Sequence, residues 1–194
     1  MATAYNRISS AFSFMWGHIL AGDRRLMHHL NQWPAPLWIR RWMTWAARAG
    51  DGWLWIALGL LLLAFGRDRR LLALTSGLLA VGAGLLTFFV LKRLFGRERP
   101  CALESHRWSR LLPHDRFSFP SGHTISAFSI TVPVGLTYPE LMPVLLFCAL
   151  SIAASRVILG LHYLTDVLAG IVLGTLLGIA SLALTGAILA QLSL

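Results

Sequence analysis

The stretch SRVILGLHYLTD, residues 155–166, places three ionisable side chains beside a long apolar run. His162 and Asp166 are four residues apart, so they share one face of a helix. On that face the carboxylate can accept the Nδ1–H of the imidazole, which fixes the tautomer and leaves Nε2 free as a nucleophile or base. Arg156 lies one turn and a loop upstream, where its guanidinium can bind phosphate oxygens. A buried histidine satisfied by a neighbouring aspartate is the purely structural alternative.

A basic cluster, KRLFGRERP, occupies residues 92–100. Lys92 and Arg99 supply fixed positive charge that can bind an oxyanion. Basic residues at such a position also cap helix C-termini and reach toward lipid headgroups. For this cluster alone, capping is the simpler interpretation.

A third cluster is Pro120-Ser121-Gly122-His123. It is typical of a helix start, with Ser121 as the N-cap. Such a start also presents free backbone N–H groups near Ser121 and Gly122 to an anion. His123 follows in the first turn as a second imidazole, able to protonate a leaving group.

The remainder of the chain has the composition of a membrane protein. Of its 194 residues, 56% are hydrophobic and 13% are charged, and the mean hydropathy of +0.65 is too high for a soluble domain of this length. No charged residue occurs over 71–91 or 167–194. A helix needs about 20 apolar residues to cross the hydrocarbon core. We therefore predict an all-α, multi-pass transmembrane helical bundle that forms one domain, 1–194.

Hydropathy predicts five core spans within a catalytic core over 51–194, at about 52–66, 71–91, 122–138, 141–158 and 163–190. Residues 1–50 are rich in tryptophan and arginine, which favour the headgroup layer. This N-terminal segment is predicted to form one or two interfacial amphipathic helices, broken by Pro34 and Pro36. A short sixth span over 8–22 is the alternative. Small residues on the last span predict close helix packing: Gly170, Gly174, Gly178 and Ala180.

The order of the spans brings the three clusters together. The second span ends at the basic cluster, and the third span begins at the Pro-Ser-Gly-His cluster on that same side. The third and fourth spans then cross and return, so the third cluster lies on that side as well. The combination of fixed positive charge, amide donors, an oriented imidazole and a second imidazole is that of a phosphoryl-transfer site built without a metal.

The net charge of +9 is consistent with anchoring to anionic lipid or with an anionic substrate. No nucleic-acid-binding motif is present, so we predict no nucleic-acid partner. The spacing of Cys101 and Cys148 predicts neither a disulfide nor a metal site.

These residues resemble the three-part signature of the type 2 phosphatidic acid phosphatase superfamily. The signature is Lys, six residues, Arg-Pro; then Pro-Ser-Gly-His; then Ser-Arg, five residues, His, three residues, Asp. Every fixed position is present here, at Lys92, Arg99-Pro100, 120–123, Ser155-Arg156, His162 and Asp166. The resemblance covers 92–166, and residues 1–50 carry no motif of the family.

The resemblance implies a role for each matched residue. His162 attacks phosphorus and becomes a phosphohistidine, Asp166 orients and stabilises it, and His123 protonates the leaving group. The phosphate is held by a set of basic, hydroxyl and amide groups: Lys92, Arg99, Ser121, Gly122 and Arg156. The resemblance implies no metal and no other cofactor.

The resemblance and the predicted spans together indicate a lipid substrate in the bilayer, because the site opens at the membrane surface. We predict a polyprenyl diphosphate such as undecaprenyl diphosphate. The alternatives are phosphatidylglycerol phosphate, phosphatidic acid and lipid A phosphates, or a lipid phosphotransferase that uses the same site. A non-enzymatic membrane protein is the alternative from a different class. The sequence does not predict an oligomeric state.

Charge and resemblance disagree about which side of the membrane holds the site. Of the 17 Lys and Arg residues, six lie in 1–50, seven lie in 92–120 and one is Arg156, while three lie at the other end, at 67–70. The positive-inside rule therefore puts the site in the cytoplasm. The resemblance implies the periplasmic face of a bacterial plasma membrane. We predict the periplasmic face, because substrate binding accounts for at least three of the charges.

Overall fold

Helices form nearly all of the secondary structure. The computed structural model describes the backbone of residues 2–106 and 115–192, and within those ranges the side chains from residue 17 onward. The α-helices of this part are α1 (Ala2–Gln32), α2 (Leu37–Ala49), α3 (Trp53–Phe65), α4 (Arg70–Phe95), α5 (Pro100–Leu103), α6 (Gly122–Thr137), α7 (Met142–Ile158) and α8 (Leu164–Leu192). Arg107 and Arg110, two of the seven basic residues in 92–120, lie outside the described residues.

Helix ends follow the predicted breakers. Pro34 and Pro36 separate α1 from α2 as predicted, because proline lacks the N–H that a continuing helix needs. Gly96 ends α4 with a left-handed φ of 54°, a conformation that glycine adopts without steric cost. α4 therefore runs on through Lys92, which lies in its last turn rather than in a loop.

A helix occupies each of the five predicted core spans. Three helical segments of the described chain are long and apolar enough to cross a membrane, namely Arg67–Phe95, Pro139–Ile158 and Leu164–Leu192. α2 and α3 together form a fourth candidate, bent by 60° at their junction. α6 has only 16 residues, fewer than the roughly 20 that a full crossing needs. The count of five spans, and the alternative sixth, remain predictions.

Large apolar side chains cover the outside of the bundle. Leucines on α3, α4 and α8 are more than half exposed, among them Leu60, Leu78, Leu86 and Leu176. A continuous apolar surface of this kind is stable when lipid covers it. Tryptophans of the N-terminal segment are also exposed, as expected for rings at the headgroup layer.

α6 lies at the centre, packed against α4, α7 and α8. Gly170, Gly174 and Gly178 of α8 face it so closely that a Cβ added at Gly174 would lie 2.6 Å from the Ile125 carbonyl oxygen. The predicted small-residue packing is confirmed for these glycines. Ala180 is exposed, so it does not belong to the packed face.

The three polar clusters lie at one end of the bundle, as the span order predicts. The start of α6 is joined to α8 by the Ser121 N–H, which donates to the Asp166 carbonyl at 3.1 Å. At the opposite end of the bundle, one hydrogen bond ties the end of α6 to the end of α3. The Tyr138 hydroxyl donates to the Gly66 carbonyl oxygen at 2.5 Å. Tight packing of α6 therefore fixes the positions from which the site residues project.

Candidate active site

The tautomer of His162 is set by two hydrogen bonds. The ring is 1% exposed and lies in the turn between α7 and α8. Its Nδ1 lies 2.7 Å from the Ser118 carbonyl oxygen, and its Nε2 lies 2.9 Å from Arg99 Nη1. A carbonyl only accepts and a guanidinium only donates, so Nδ1 carries the proton and Nε2 carries the lone pair.

Burial keeps this imidazole neutral. The pKa of His162 is lowered to about 3, chiefly by removal from water and also by the nearby Arg99 and Arg156 charges. The neighbouring Asp166 carboxylate acts in the opposite direction but does not reverse the shift. At neutral pH Nε2 therefore carries a lone pair, which accepts from Arg99 Nη1 and becomes free for attack when that contact is replaced.

Asp166 contacts His162 less directly than the sequence predicts. Its Oδ2 lies 3.7 Å from His162 Nδ1, which is beyond hydrogen-bonding distance. The predicted hydrogen bond is wrong because α8 begins at Leu164, so His162 precedes the helix on whose first turn Asp166 lies. Oδ2 instead accepts the Ser118 hydroxyl and the Tyr163 N–H, the latter at 2.8 Å. Asp166 thus faces the imidazole as a fixed negative charge.

A carboxylate from the loop before α6 joins the two basic residues of the signature. Lys92 Nζ donates to Asp115 Oδ2, and Arg99 Nη2 donates to Asp115 Oδ1 at 3.0 Å. Burial would raise the pKa of Asp115, but hydrogen bonds from both cations hold that pKa below its ordinary value. Asp115 is therefore ionised and lies where an anion would meet both side chains.

Arg99 has most of its donors engaged. Its Nε donates to the Asp115 carbonyl oxygen at 2.9 Å, and Nη1 donates to the Leu161 carbonyl oxygen at 2.7 Å as well as to His162 Nε2. A guanidinium has five N–H donors. These three contacts, together with the one to the Asp115 carboxylate, use four of them. A phosphate that binds Arg99 must therefore replace some of these contacts.

Arg156 supplies a second buried guanidinium. It lies in the last turn of α7 and is 5% exposed. Its Nε is buried and makes no hydrogen bond to the part of the chain that the structure describes. A buried N–H without a partner costs free energy that a bound anion would recover. The role of Arg156 in phosphate binding stays a prediction, and this unpaired donor is consistent with it.

The start of α6 supplies the other signature residues. Ser121 is fully buried at the N-cap position, and its hydroxyl accepts from Thr124 at 2.9 Å. The Ser121 N–H donates to the Asp166 carbonyl, so it is not the free donor that the sequence suggests. The first intrahelical bond is donated by the Ile125 N–H, so the three N–H groups that begin with Gly122 have no acceptor within the helix. A Cβ at Gly122 would lie 2.8 Å from the Phe88 ring, so only glycine fits there.

His123 contacts a carboxylate from the N-terminal half. Its Nε2 lies 2.8 Å from Oδ1 of Asp51, in the turn between α2 and α3. Its side chain is 20% exposed, unlike that of His162. His123 is thus paired with a carboxylate and partly accessible to water.

Comparison with protein families matches residues 72–189 to the PAP2 superfamily. This chain belongs to the PAP2 superfamily. The match contains all three polar clusters, α6, α7 and most of α4 and α8. The N-terminal segment lies outside it.

Curated relatives of this PAP2 protein are phosphatases of lipid-linked phosphates. Lipid A 1-phosphatase of Rhizobium johnstonii is 35% identical over 98 residues, which cover 48% of this chain and 40% of the relative. Undecaprenyl-diphosphatase of Sulfolobus acidocaldarius is 31% identical over 138 residues, which cover 69% of this chain and 64% of the relative. The chain spans about two fifths of the length of the lipid A phosphatase it matches.

Two solved structures share the fold of this PAP2 protein. A transmembrane PAP2-type phosphatidylglycerolphosphate phosphatase from Bacillus subtilis superposes with a TM-score of 0.67 at 25% identity and covers 88% of each chain. LpxE of Aquifex aeolicus gives a TM-score of 0.68 at 28% identity, over 82% of this chain and 93% of LpxE. The all-α membrane architecture is therefore that of membrane PAP2 proteins.

Sequence reasoning missed several partners of the signature residues in this PAP2 protein: Asp23, Asp51, Arg97, Asp115 and Ser118. All five lie before or between the fixed signature positions, where the motif leaves residue types open. One signal was available for Asp23, the only acidic residue in 1–50. A single carboxylate in a strongly basic segment indicates a buried ion-pair partner.

Within the described residues, no three His, Cys, Asp or Glu side chains converge in an arrangement that could hold a metal ion.

Replacement of Asp115 by asparagine should strengthen the binding of inorganic phosphate to the detergent-solubilised protein. The carboxylate competes with phosphate for Lys92 and Arg99, and asparagine removes the competing charge. We expect the dissociation constant to fall by roughly 10-fold, the equivalent of one charge-assisted hydrogen bond. Isothermal titration calorimetry measures it without any substrate.

Glu98→Gln is the matched control for this measurement. Glu98 lies between α4 and α5, and its described ion pair is with exposed Arg116 at 3.7 Å, so its replacement removes an equal charge without removing a contact to Lys92 or Arg99. Phosphate affinity should not change in this variant. Weaker phosphate binding by Asp115→Asn would mean that Asp115 positions the cations rather than competing with the ligand.

Proposed function

We propose that this PAP2 protein is a membrane phosphatase that removes a phosphate or the terminal phosphate of a diphosphate from a lipid, through a phosphohistidine at His162 and without a metal. The observation that carries the proposal is the buried, neutral imidazole with its Nε2 lone pair facing Arg99. Arg156 adds a second buried guanidinium with an unpaired donor. A nucleophile enclosed by buried cations is suited to attack on an anionic phosphorus centre.

In the first step His162 Nε2 attacks phosphorus, and the bond to the lipid oxygen breaks as the Nε2–P bond forms. His123 donates its proton to the departing oxygen. The imidazole keeps its Nδ1 proton and becomes cationic in the intermediate. The Ser118 carbonyl accepts a hydrogen bond from Nδ1–H, and the Asp166 carboxylate, 3.7 Å from Nδ1, stabilises the positive charge.

In the second step water attacks the phosphorus of the phosphohistidine, and His123 takes one proton from that water. The P–N bond breaks and inorganic phosphate leaves, so Nε2 recovers its lone pair. Lys92, Arg99, Arg156 and the first amides of α6 hold the phosphate oxygens throughout, with Ser121 supporting that turn. A second lipid hydroxyl in place of water would make the same site a phosphotransferase.

The leading substrate is a polyprenyl diphosphate such as undecaprenyl diphosphate. The similarity to undecaprenyl-diphosphatase of Sulfolobus acidocaldarius, which covers 69% of this chain, supports this choice. Phosphatidylglycerol phosphate and lipid A phosphates are the alternatives, supported by the Bacillus and Rhizobium relatives. Phosphatidic acid is a further alternative with the same phosphomonoester chemistry.

The first test is phosphate release by the purified protein in detergent with EDTA present, on undecaprenyl diphosphate, phosphatidylglycerol phosphate and phosphatidic acid. The wild type should release phosphate from at least one lipid. His162→Ala should reduce release to background because the nucleophile is lost. His29→Ala, an exposed histidine on α1, is the control and should retain full activity. Full turnover by His162→Ala would exclude the mechanism, and no release by the wild type would exclude all three substrates.

His123→Ala should show a loss that depends on the leaving group. With an alkyl or polyprenyl leaving group we expect a loss of about 10²–10⁴-fold, because the departing oxygen needs a proton. With para-nitrophenyl phosphate the loss should be smaller, since that oxygen departs as a stable anion. The measurement is kcat on both substrates. An equal loss on both would exclude the role of His123 as the acid.

We infer that the active site faces the periplasm of a bacterial plasma membrane, against the positive-inside count. Cysteine labelling tests this in cells, with Cys101 and Cys148 replaced by serine. A membrane-impermeant maleimide should label Glu98→Cys in cells whose outer membrane alone is permeabilised. Asp68→Cys, at the opposite end of the bundle, should be labelled only after lysis. The reverse pattern would place the site in the cytoplasm.

A further inference from the structure

A guanidinium links the N-terminal helix to the carboxylate that faces His162. Arg97 Nη1 donates to Asp166 Oδ1 at 2.7 Å, and Arg97 Nη2 donates to Asp23 Oδ2 at 2.8 Å. The guanidinium carbon also lies 3.8 Å from the centre of the Tyr163 ring. Arg97 occupies a position that the family signature leaves open.

All three charges of this link are removed from water. The exposed fraction of the side chain is 3% for Asp23, 15% for Arg97 and 0% for Asp166. Buried ion pairs hold their geometry because a change in either partner leaves an uncompensated charge. The arrangement is therefore a fixed bridge rather than a mobile surface contact.

Asp23 is held by α8 as well as by Arg97. Thr165 donates its hydroxyl to Asp23 Oδ2 and its N–H to Asp23 Oδ1 at 3.3 Å. Thr165 Oγ1 in turn accepts from Arg97 Nη1 at 2.8 Å. Helix α1 thus contributes its only acidic side chain to the first turn of α8.

We propose that Arg97 and Asp23 are positioning residues for the proposed phosphohistidine reaction. Arg97 occupies Oδ1 of Asp166, which leaves Oδ2 directed toward the Ser118 hydroxyl, the Tyr163 N–H and the His162 ring. Asp23 fixes the guanidinium that does this. The N-terminal segment, which has no counterpart in the signature, completes the site through this bridge. The inference rests on the proposed function.

Arg97 differs from the phosphate-binding arginine next to it. Arg99 contacts His162 Nε2, the atom that attacks phosphorus, whereas the described side-chain hydrogen bonds of Arg97 are with Asp23, Asp166 and Thr165. Because Arg97 does not contact the attacking nitrogen, loss of its side chain should lower kcat without weakening the binding of inorganic phosphate. This separation distinguishes a positioning residue from a ligand of the substrate.

The test uses the full chain in detergent and the lipid phosphate that the wild type hydrolyses fastest. Arg97→Gln should lower kcat by about 10²-fold, the loss typical of a misplaced catalytic group. The dissociation constant for inorganic phosphate, measured by calorimetry, should stay within about 2-fold of the wild-type value, a change worth about 0.4 kcal/mol. Arg97→Lys keeps the charge but cannot contact both carboxylates as a guanidinium does, so its kcat should be intermediate.

Asp23→Asn should lower kcat by a smaller factor, roughly 10-fold, because Thr165 still holds the amide in place. In the Arg97→Gln background, Asp23→Asn should cause no further loss if Asp23 acts through Arg97. Phosphate binding by each variant reports a folded site, so a loss of kcat with unchanged phosphate affinity is not a loss of folding. An additive loss in the double variant would overturn the proposed order of action.

Two controls separate positioning from simple docking of α1. Asn31→Ala removes contacts of α1 with Glu104 and the Ser105 carbonyl, at 2.8 and 3.2 Å, away from Arg97. Arg93→Gln removes an equal charge from an exposed site at the end of α4. Both should retain kcat. A loss in Asn31→Ala equal to that in Asp23→Asn would show that α1 acts only as a support.

The remaining outcomes also decide the inference. Weaker phosphate binding by Arg97→Gln would make Arg97 a phosphate ligand, and an unchanged kcat would make the bridge purely structural. Either result overturns the inference while wild-type turnover and inactive His162→Ala leave the proposed function intact. If the wild type released no phosphate, or if His162→Ala stayed active, the proposed function itself would be excluded.

Discussion

The hydrogen bond from His162 Nδ1 to the Ser118 carbonyl is the contact on which the geometry of the site depends. It fixes the tautomer, and it requires the loop before α6 to lie against the turn between α7 and α8. Two backbone hydrogen bonds hold the last residues of that loop. The Ser118 N–H donates to the Arg97 carbonyl at 2.6 Å, and the Ser121 N–H donates to the Asp166 carbonyl at 3.1 Å. The imidazole is thus oriented by backbone groups, which cannot be displaced without moving the helices.

Burial of so many charges at the edge of an apolar bundle demands counter-charges. The chain has only eight acidic residues, and four of them lie at the site: Asp23, Asp51, Asp115 and Asp166. They come from four different segments. Asp23, Asp115 and Asp166 contact basic side chains that are largely buried, and Asp51 contacts the partly exposed His123 imidazole. Arg156 is a buried basic residue whose Nε has no such partner in the described chain. It is therefore the group that most needs an incoming anion.

The prediction of the fold succeeded where the sequence carries a strong physical signal. Uncharged runs and prolines gave helices at the predicted places, because hydrocarbon excludes charge and proline cannot continue a helix. Glycines at four-residue spacing on α8 gave the close contact with α6. His162 and Asp166 do not form the predicted i, i+4 hydrogen bond, because α8 contains Asp166 but not His162. The helix begins two residues after His162, a boundary that depends on how the turn packs rather than on local preference.

The sequence by itself determined the membrane class, the face on which the three clusters meet, and the residue types that could bind and transfer phosphate. These follow from hydropathy, chain direction and side-chain chemistry, which are properties of each segment alone. Only the tertiary structure decided which carboxylate meets which cation. Asp23 and Arg97 are separated by 74 residues, and Asp51 and His123 by 72. No local pattern encodes such pairs, because a buried charge is satisfied by whichever partner the packing of distant helices brings within reach.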